Sequence, residues 1–352
     1  MRYLKLVLIL CLLLLCITLF TIYFLADDAD VPLVAEPEIA TTFKYVSPIS
    51  INYLRTKPIE TSNITIEETL VDGFNYKRYI ASYKSEGNKI YGLLTIPTSP
   101  MPEGGYPAVI FNHGYIPPSV YKTTEKYVSY VDSLARSGFV VFKIDYRGNG
   151  NSEGDPSGTY FSSAYTIDAL SALKSLQAYS AVNPARIGMW GHSMAGNLLL
   201  RAMLVSDQIK AGVIWAGAVY SYDDFAKYGI SDSSYAHKPY EKKEGPAQSD
   251  REVSEEIQQI RSNPKSIDFT SDFWKSISLT ANIAYLNNPL QVHHAKNDSV
   301  VNIGYSSDLV DILKTNGKQF EYYEYIGGGH NIESPYFESA MARTVKFFTD
   351  NL

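Results

Sequence analysis

Between Ala108 and Tyr325 the sequence alternates short apolar runs with longer stretches of helical character. The runs are Ala108–Phe111, Phe139–Ile144, Arg186–Trp190, Gly212–Trp215, Leu290–His293 and Phe320–Tyr325, and helical character lies near 122–137, 159–180, 194–206 and 301–315. Continuous apolar strands joined by crossovers of roughly a dozen residues or more suit parallel pairing, in which both faces of the sheet are covered. The pattern therefore predicts an α/β fold with a mostly parallel central sheet and helices on both faces. Upstream, YKRYIASYKSEGNKIYGLLTIP predicts two further strands around a turn at Glu86-Gly87-Asn88. The alternation lapses from about 220 to 288, where no strand is apparent and the charged REVSEEIQQIRS reads as an amphipathic helix. That stretch is expected to be an insertion capping the carboxyl edge of the sheet. No internal repeat of roughly 20–50 residues is present, which argues against a propeller or solenoid.

The start of the chain has a different character. From Leu6 to Leu25 the sequence runs 20 residues without a charge, enough for a helix to cross a hydrocarbon layer of roughly 30 Å. Arg2 and Lys5 precede it and Asp27, Asp28 and Asp30 follow, so the positive-inside rule keeps the short N-terminus cytoplasmic and sends the rest across. Residues 1–26 are expected to form a single-pass transmembrane anchor, with the membrane as a partner. Cleavage as a signal peptide, giving a secreted protein, is the alternative, although Phe24-Leu25-Ala26 is a poor small-x-small site. Residues 27–42 read as a spacer without periodicity, leaving 43–352 as the folded domain. Both cysteines, Cys11 and Cys16, precede that domain, so it must stand without disulfides or thiolate metal ligands. Thirty-one Lys and Arg against 37 Asp and Glu, a net charge of −6 with no basic block, exclude the electrostatic footprint of a nucleic-acid binder.

One junction carries chemistry. The strand RIGMWG runs into His192-Ser193-Met194-Ala195-Gly196, and NLLLRAMLV follows with helical character. A serine on so sharp a strand-to-helix turn holds its hydroxyl above the sheet, and its neighbours must be small, as Gly191 and Ala195 are. The usual G-x-S-x-G pattern is altered, with Ala195 in the last position and Gly196 one residue later. Such a hydroxyl needs a base, and the base needs a partner that fixes its tautomer. Of the six histidines, His330 in IGGGHNI is the best base, since a glycine loop between the last strand and last helix can carry it over the sheet edge. Asp298, in PLQVHHAKNDSVV, follows the preceding strand, and the order Ser193, Asp298, His330 suits a hydrolytic triad. A tetrahedral oxyanion would take the N–H of Met194 and, from the loop Asn112-His113-Gly114-Tyr115, that of Tyr115.

The other histidines point elsewhere. His293 and His294 are adjacent on a strand and so face opposite sides, which prevents them from chelating one ion; no metal or cofactor is expected. His237 falls in the polar insertion and is expected to be solvated, and His192 to pack. Tyr220, Tyr222, Phe225, Tyr228, Tyr235 and Tyr240 crowd the insertion, either as a half-buried packing surface or as the lining of an acyl or sugar pocket beneath the cap.

The stretches FNHGY, FKIDYRGNGNSEG, GHSMAG, HAKNDSVV and GGGHNI, in that order, make the chain resemble the α/β hydrolases. Within them it is most similar to the prolyl-oligopeptidase-like (S9) catalytic domain and related acyl esterases, over about residues 75–352. The resemblance implies an α/β-hydrolase fold, with Ser193 as nucleophile, Asp298 and His330 as its partners, and Asp145, Arg147 and Gly148 in a structural loop beside them. Its His-Gly-Tyr loop is similar to that of acetyl-ester deacetylases, whereas peptidases of the family usually show His-Gly-Gly or Tyr-Gly-Gly, which implies esters. Full-length oligopeptidases of this kind also carry a large propeller, for which the stretch after the apolar segment is expected to be too short. That weakens the peptidase reading and leaves it open. The expectation is a membrane-anchored, extracytoplasmic serine hydrolase cleaving a small acyl ester, or alternatively a peptide, through an acyl-enzyme. A non-catalytic hydrolase fold used as a binding module is the alternative from another class, disfavoured by the complete set Ser193, Asp298 and His330.

Overall fold

The computed structural model describes residues 47–158, 160–229, 260 and 263–352. Its strands are β1 (Thr65–Thr69), β2 (Tyr76–Ser85), β3 (Asn88–Pro97), β4 (Tyr106–Asn112), β5 (Val140–Ile144), β6 (Val182–His192), β7 (Gly212–Trp215), β8 (Leu290–Ala295) and β9 (Phe320–Tyr325). They form one sheet in the order β1-β2-β3-β5-β4-β6-β7-β8-β9. Every pair from β5 across to β9 is parallel, and β1, β2, β3 and β5 are joined antiparallel. The chain leaves β4 for β5 on one side and returns to β6 on the other. This reversal opens a crevice beyond the carboxyl ends of β4 and β6, the place where open α/β sheets bind their ligands.

The predicted hairpin closes at Glu86 and Gly87, both with positive φ (48° and 78°), between the paired residues Ser85 and Asn88. Left-handed conformations at both turn positions match the right-handed twist of the flanking strands. β1 has no counterpart in the sequence reading because every residue of TIEET is exposed. An edge strand solvated on both faces shows no hydrophobic period to detect.

Helices α1 (Ile51–Thr56), α2 (Val128–Arg136), α3 (Ala164–Gln177), α4 (Met194–Val205), α5 (Tyr222–Tyr228), α6 (Asp272–Ile277), α7 (Gly304–Thr315) and α8 (Phe337–Asn351) surround the sheet. Side chains alternate across each strand. Ala108, Ile110, Ile187, Met189 and Ile214 pack on one face with Leu170 and Leu173 of α3, Leu199 and Met203 of α4, and Leu309 of α7. Val109, Phe111, Trp190, Val213 and Trp215 pack on the other with Val131 and Leu134 of α2 and Phe347 and Phe348 of α8. Each such large side chain contributes roughly 1.5–3 kcal/mol, so the two layers hold the sheet edge rigid. Helix α2 begins later than the expected 122–137 because Lys126 and Tyr127 are left-handed (φ 55° and 54°), which a helix cannot contain.

The flanks of the insertion are described and its middle is not. Tyr220 and Tyr222 are fully buried rather than half-exposed, and Tyr228 is partly buried, its hydroxyl donating to Asp308 Oδ2 at 2.8 Å. Tyr235, Tyr240, the Phe225 side chain, His237 and, apart from buried Ile260, the REVSEEIQQIRS helix lie outside the described residues. So do the apolar segment at 6–25 and the spacer at 27–42. Among the described residues no helix is long and apolar enough to cross a membrane.

Buried histidines give the fold a pH signature. His293 has no solvent exposure, and burial, helped by the charge of Arg343, pushes its imidazole down to about 3. Burial is also the main cause that pushes His113 and His192 to about 3. A folded-state pKa below the unfolded value means that the unfolded chain takes up protons first. The stabilising effect of a neutral ring is therefore complete above about pH 6.5 and is lost on acidification at up to about 1.4 kcal/mol per pH unit for each ring. Urea unfolding at a series of pH values between 7 and 4 should show a shallower fall for His293→Gln than for the unsubstituted protein; parallel slopes would show that His293 is not held neutral.

Candidate active site

β6 ends at His192, and Ser193 reverses the chain into α4 with φ 57° and ψ −122°. This conformation costs a side-chain-bearing residue on the order of 1–3 kcal/mol. The surroundings enforce it. Ser193 N–H donates to Trp215 O at 2.9 Å, and its carbonyl accepts Gly196 N–H at 2.9 Å. A Cβ at Gly191 would stand 2.6 Å from Ala195 O, and one at Gly196 would stand 2.7 Å from Gly217 Cα. The displaced glycine of the motif is thus explained: Ala195 sits inside α4 with helical backbone, and the close approach to the next loop falls at Gly196.

Asp298 and His330 come together at the carboxyl ends of β8 and β9. Asp298 Oδ1 accepts the N–H groups of Val300 and Val301 at 2.8 and 2.9 Å. Its Oδ2 accepts His330 Nδ1–H at 2.8 Å and lies 3.2 Å from His294 Nε2. Burial alone would raise this carboxyl, but the hydrogen bonds from His294, His330 and the Val301 backbone outweigh it and hold the group well below the usual carboxylate range. An ionised carboxylate only accepts, so His330 carries its proton on Nδ1 and leaves the Nε2 lone pair free. The loop around it is bent by Gly328 and Gly329 (φ 99° and 59°) and pinned by Gly329 N–H donating to Asn297 Oδ1 at 2.9 Å. The His330 ring lies 4.6 Å from that of His192, next to Ser193 in the chain. No hydrogen bond joins Ser193 Oγ to His330 among the described residues, and such contacts often tighten only around a bound substrate.

On the other side, Asn112 at the end of β4 pairs with Gly191, so the loop from His113 to Tyr115 leaves the sheet beside Ser193 and Met194. Met194 N–H, at the first turn of α4, has no helical acceptor. Among the described residues neither it nor the N–H of Tyr115 is taken by another group. His113 is a brace, with Nδ1–H donating to Gly114 O at 2.6 Å and its ring stacked on Tyr121 at 4.6 Å. His293 and His294 engage different partners, as their alternation requires. Tyr325 O–H donates to His293 Nδ1 at 2.8 Å, while Ser306 O–H donates to His294 Nδ1 at 2.7 Å. Among the described residues no group of three or more His, Cys, Asp or Glu is placed to hold a metal ion.

The loop after β5 supports the site from below. Asp145 accepts Tyr121 O–H at 2.7 Å and Thr123 O–H at 2.5 Å; burial pushes its carboxyl up to about 6 although these bonds oppose the shift. Arg147 grips Asp168 of α3, with Nη2 to Oδ1 at 2.7 Å and Nε to Oδ2 at 3.2 Å, and also reaches Glu86 at 2.9 Å. Breaking a buried pair of this kind costs roughly 3–5 kcal/mol, because one charge is left unmatched. Gly148 (φ 71°) has no room for a side chain, since a Cβ would come within 2.4 Å of Pro156 N. Asp168 escaped the sequence reading, although a lone acid within the apolar helix AYTIDALSALKSLQ is a signal for a buried partner. Tyr127, which immediately precedes α2, and Tyr130 within it also escaped it.

The fold and this edge define the chain as an α/β hydrolase and a serine hydrolase. It belongs to the serine aminopeptidase S33 family, whose pattern matches residues 107–333. The uncharacterized peptidase YtmA of Bacillus subtilis is 31% identical over 140 residues, covering 40% of this chain and 51% of that protein. The chain spans about half the length of the curated relatives it matches. Among solved structures, an acetyl xylan esterase from Paenibacillus sp. R4 superposes with TM-score 0.60 at 17% identity, covering 84% of this chain and 91% of that one. An acylaminoacyl peptidase of Pyrococcus horikoshii superposes with TM-score 0.59 at 20% identity, covering 79% of this chain and 42% of that one. At these identities the likeness to the solved structures is one of fold.

The geometry is tested by substitution. Ser193→Ala should keep the fold and lose labelling by a fluorophosphonate. Replacing His330 or Asp298 should lower kcat by roughly three to six orders of magnitude with a much smaller change in KM, whereas His113→Gln should act mainly on stability.

Proposed function

We propose that the protein hydrolyses a small acyl ester through an acyl-enzyme on Ser193, with His330 as general base and Asp298 as its orienting partner. The observation that carries this reading is the 2.8 Å bond from His330 Nδ1 to the buried Asp298 carboxylate, which frees Nε2 beside a strained serine. In the first step Ser193 Oγ attacks the carbonyl carbon and its proton passes to His330 Nε2. The oxyanion that forms is stabilised by the N–H groups of Met194 and Tyr115. Collapse expels the alcohol, which takes the proton from His330. Water, deprotonated by the same ring, then releases the acid and restores the serine.

The His-Gly-Tyr form of the oxyanion loop favours esters, and the fold shared with an acetyl xylan esterase fits a small acyl group. The second reading is peptide or amide hydrolysis, which the family match favours. We further propose that residues 1–26 anchor the protein in the membrane with the catalytic domain outside, on the strength of the uncharged segment from Leu6 to Leu25 and its flanking charges. The insertion at about 220–288 is proposed to cap the site and bear on substrate choice.

Measured on the full chain, kcat/KM should be higher for p-nitrophenyl acetate than for any amino-acid anilide. The opposite ranking would favour the peptidase. A reporter fused after Leu352 should behave as extracytoplasmic, and a reporter active only in the cytoplasm would refute the topology.

A further inference from the structure

The two loops that flank Ser193 are joined by a relay of hydrogen bonds in which every donor can be assigned. His192 Nε2 lies 2.9 Å from the carbonyl oxygen of His330, and a carbonyl only accepts, so Nε2 carries the proton. Burial pushes this imidazole down to about 3, so the ring is neutral and Nδ1 is an acceptor. Tyr127 O–H, 2.8 Å away, must therefore donate to Nδ1. The Tyr127 oxygen is then free to accept Gly114 N–H at 3.0 Å. The path runs from the residue before Tyr115, through the phenol and the imidazole, to the backbone of His330.

Three further observations show that the relay is built in. Lys126 and Tyr127 are consecutive non-glycine residues in the left-handed region, a strain that persists only where the surroundings demand it. A Cβ at Gly114 would lie 2.8 Å from Tyr127 Oη and 3.2 Å from His192 Nδ1, so only glycine leaves room for the relay. One turn along α2, Tyr130 O–H donates to Asn331 O at 2.8 Å, and two successive carbonyls of the base loop are thus held. The start of α2 clamps both sides of the site at once.

We propose that Tyr127 and His192 are positioning residues that set the oxyanion loop and the base loop in register across Ser193. Neither exchanges a proton with substrate. The proposal rests on the assignment of Ser193 and His330 made above. Displacing either loop by about 1 Å should lower kcat by roughly a hundredfold, because both the base and an oxyanion donor lose alignment.

The experiment compares Tyr127→Phe, His192→Leu, His192→Gln and the Tyr127→Phe/His192→Leu pair with the unsubstituted full chain on p-nitrophenyl acetate, recording kcat, KM and Tm. Tyr127→Phe keeps the ring and removes only the hydroxyl. It should lower kcat roughly 10- to 100-fold while KM and Tm stay close to the parent's. His192→Gln, whose amide can donate to His330 O and accept from Tyr127, should retain more activity than His192→Leu. The double variant should be no slower than His192→Leu, since both changes interrupt one path. A parental kcat in Tyr127→Phe, or losses confined to Tm and KM, would overturn the relay. Ser193→Ala, run alongside, separates the two levels: if it still turns over, the site assignment itself fails, and if it is inactive while Tyr127→Phe is unimpaired, only the relay fails.

Discussion

The arrangement at the carboxyl edge depends on one steric constraint: β6 must turn into α4 within the single residue Ser193. That reversal brings the helix against its own strand, and the contacts permitting it are backbone to backbone. Gly191 faces Ala195 O and Gly196 faces Gly217, with no room at either for a side chain. The local strain, on the order of 1–3 kcal/mol, is small against the two apolar layers that hold β6 at the centre of the sheet. The strain therefore persists, and the partly buried serine is held at its turn by packing rather than by flexibility.

The reversal of strand order at β4 supplies the rest. Because β4 lies between β5 and β6, the loops after all three strands converge on one edge, each with its own electrostatic support. The loop after β5 is held by ion pairing between Arg147 and Asp168. The loop that carries His330 is held by hydrogen bonds to an ionised Asp298. His113, His192 and His293 are instead buried and neutral, and His192 and His293 each bring a fixed donor and a fixed acceptor. In this setting a neutral imidazole acts as a rigid connector, while His330 keeps 17% of its side chain exposed.

Much of this edge was legible in the sequence for local reasons. The elbow is a contiguous pattern, and the positions of Asp298 and His330 after apolar runs place both on the same edge of a parallel sheet. The expected opposition of His293 and His294 followed from the two-residue period of a strand. Asp168, a lone acid in an apolar helix, carried a signal that went unread; the rest of what escaped had none. β1 is solvated on both faces, and α2 starts late because of two left-handed residues. The insertion tyrosines Tyr220 and Tyr222 are core residues, since they fall where the chain is still descending from β7 into the packed layer.

Hydrophobic period and the demand for small residues act over a few neighbouring positions, so the parallel strands, the β2–β3 hairpin, the serine at its turn and the order of the groups along the chain were all readable locally. Which groups brace which was set by packing between distant segments. Tyr130 meets Asn331 across 201 residues, Arg147 finds Asp168 on a separate helix, and His192, read from the sequence as packing, is also bonded through both ring nitrogens. A hydrogen bond requires a separation of about 3 Å and a defined direction, and no spacing along a chain encodes either until the layers have closed.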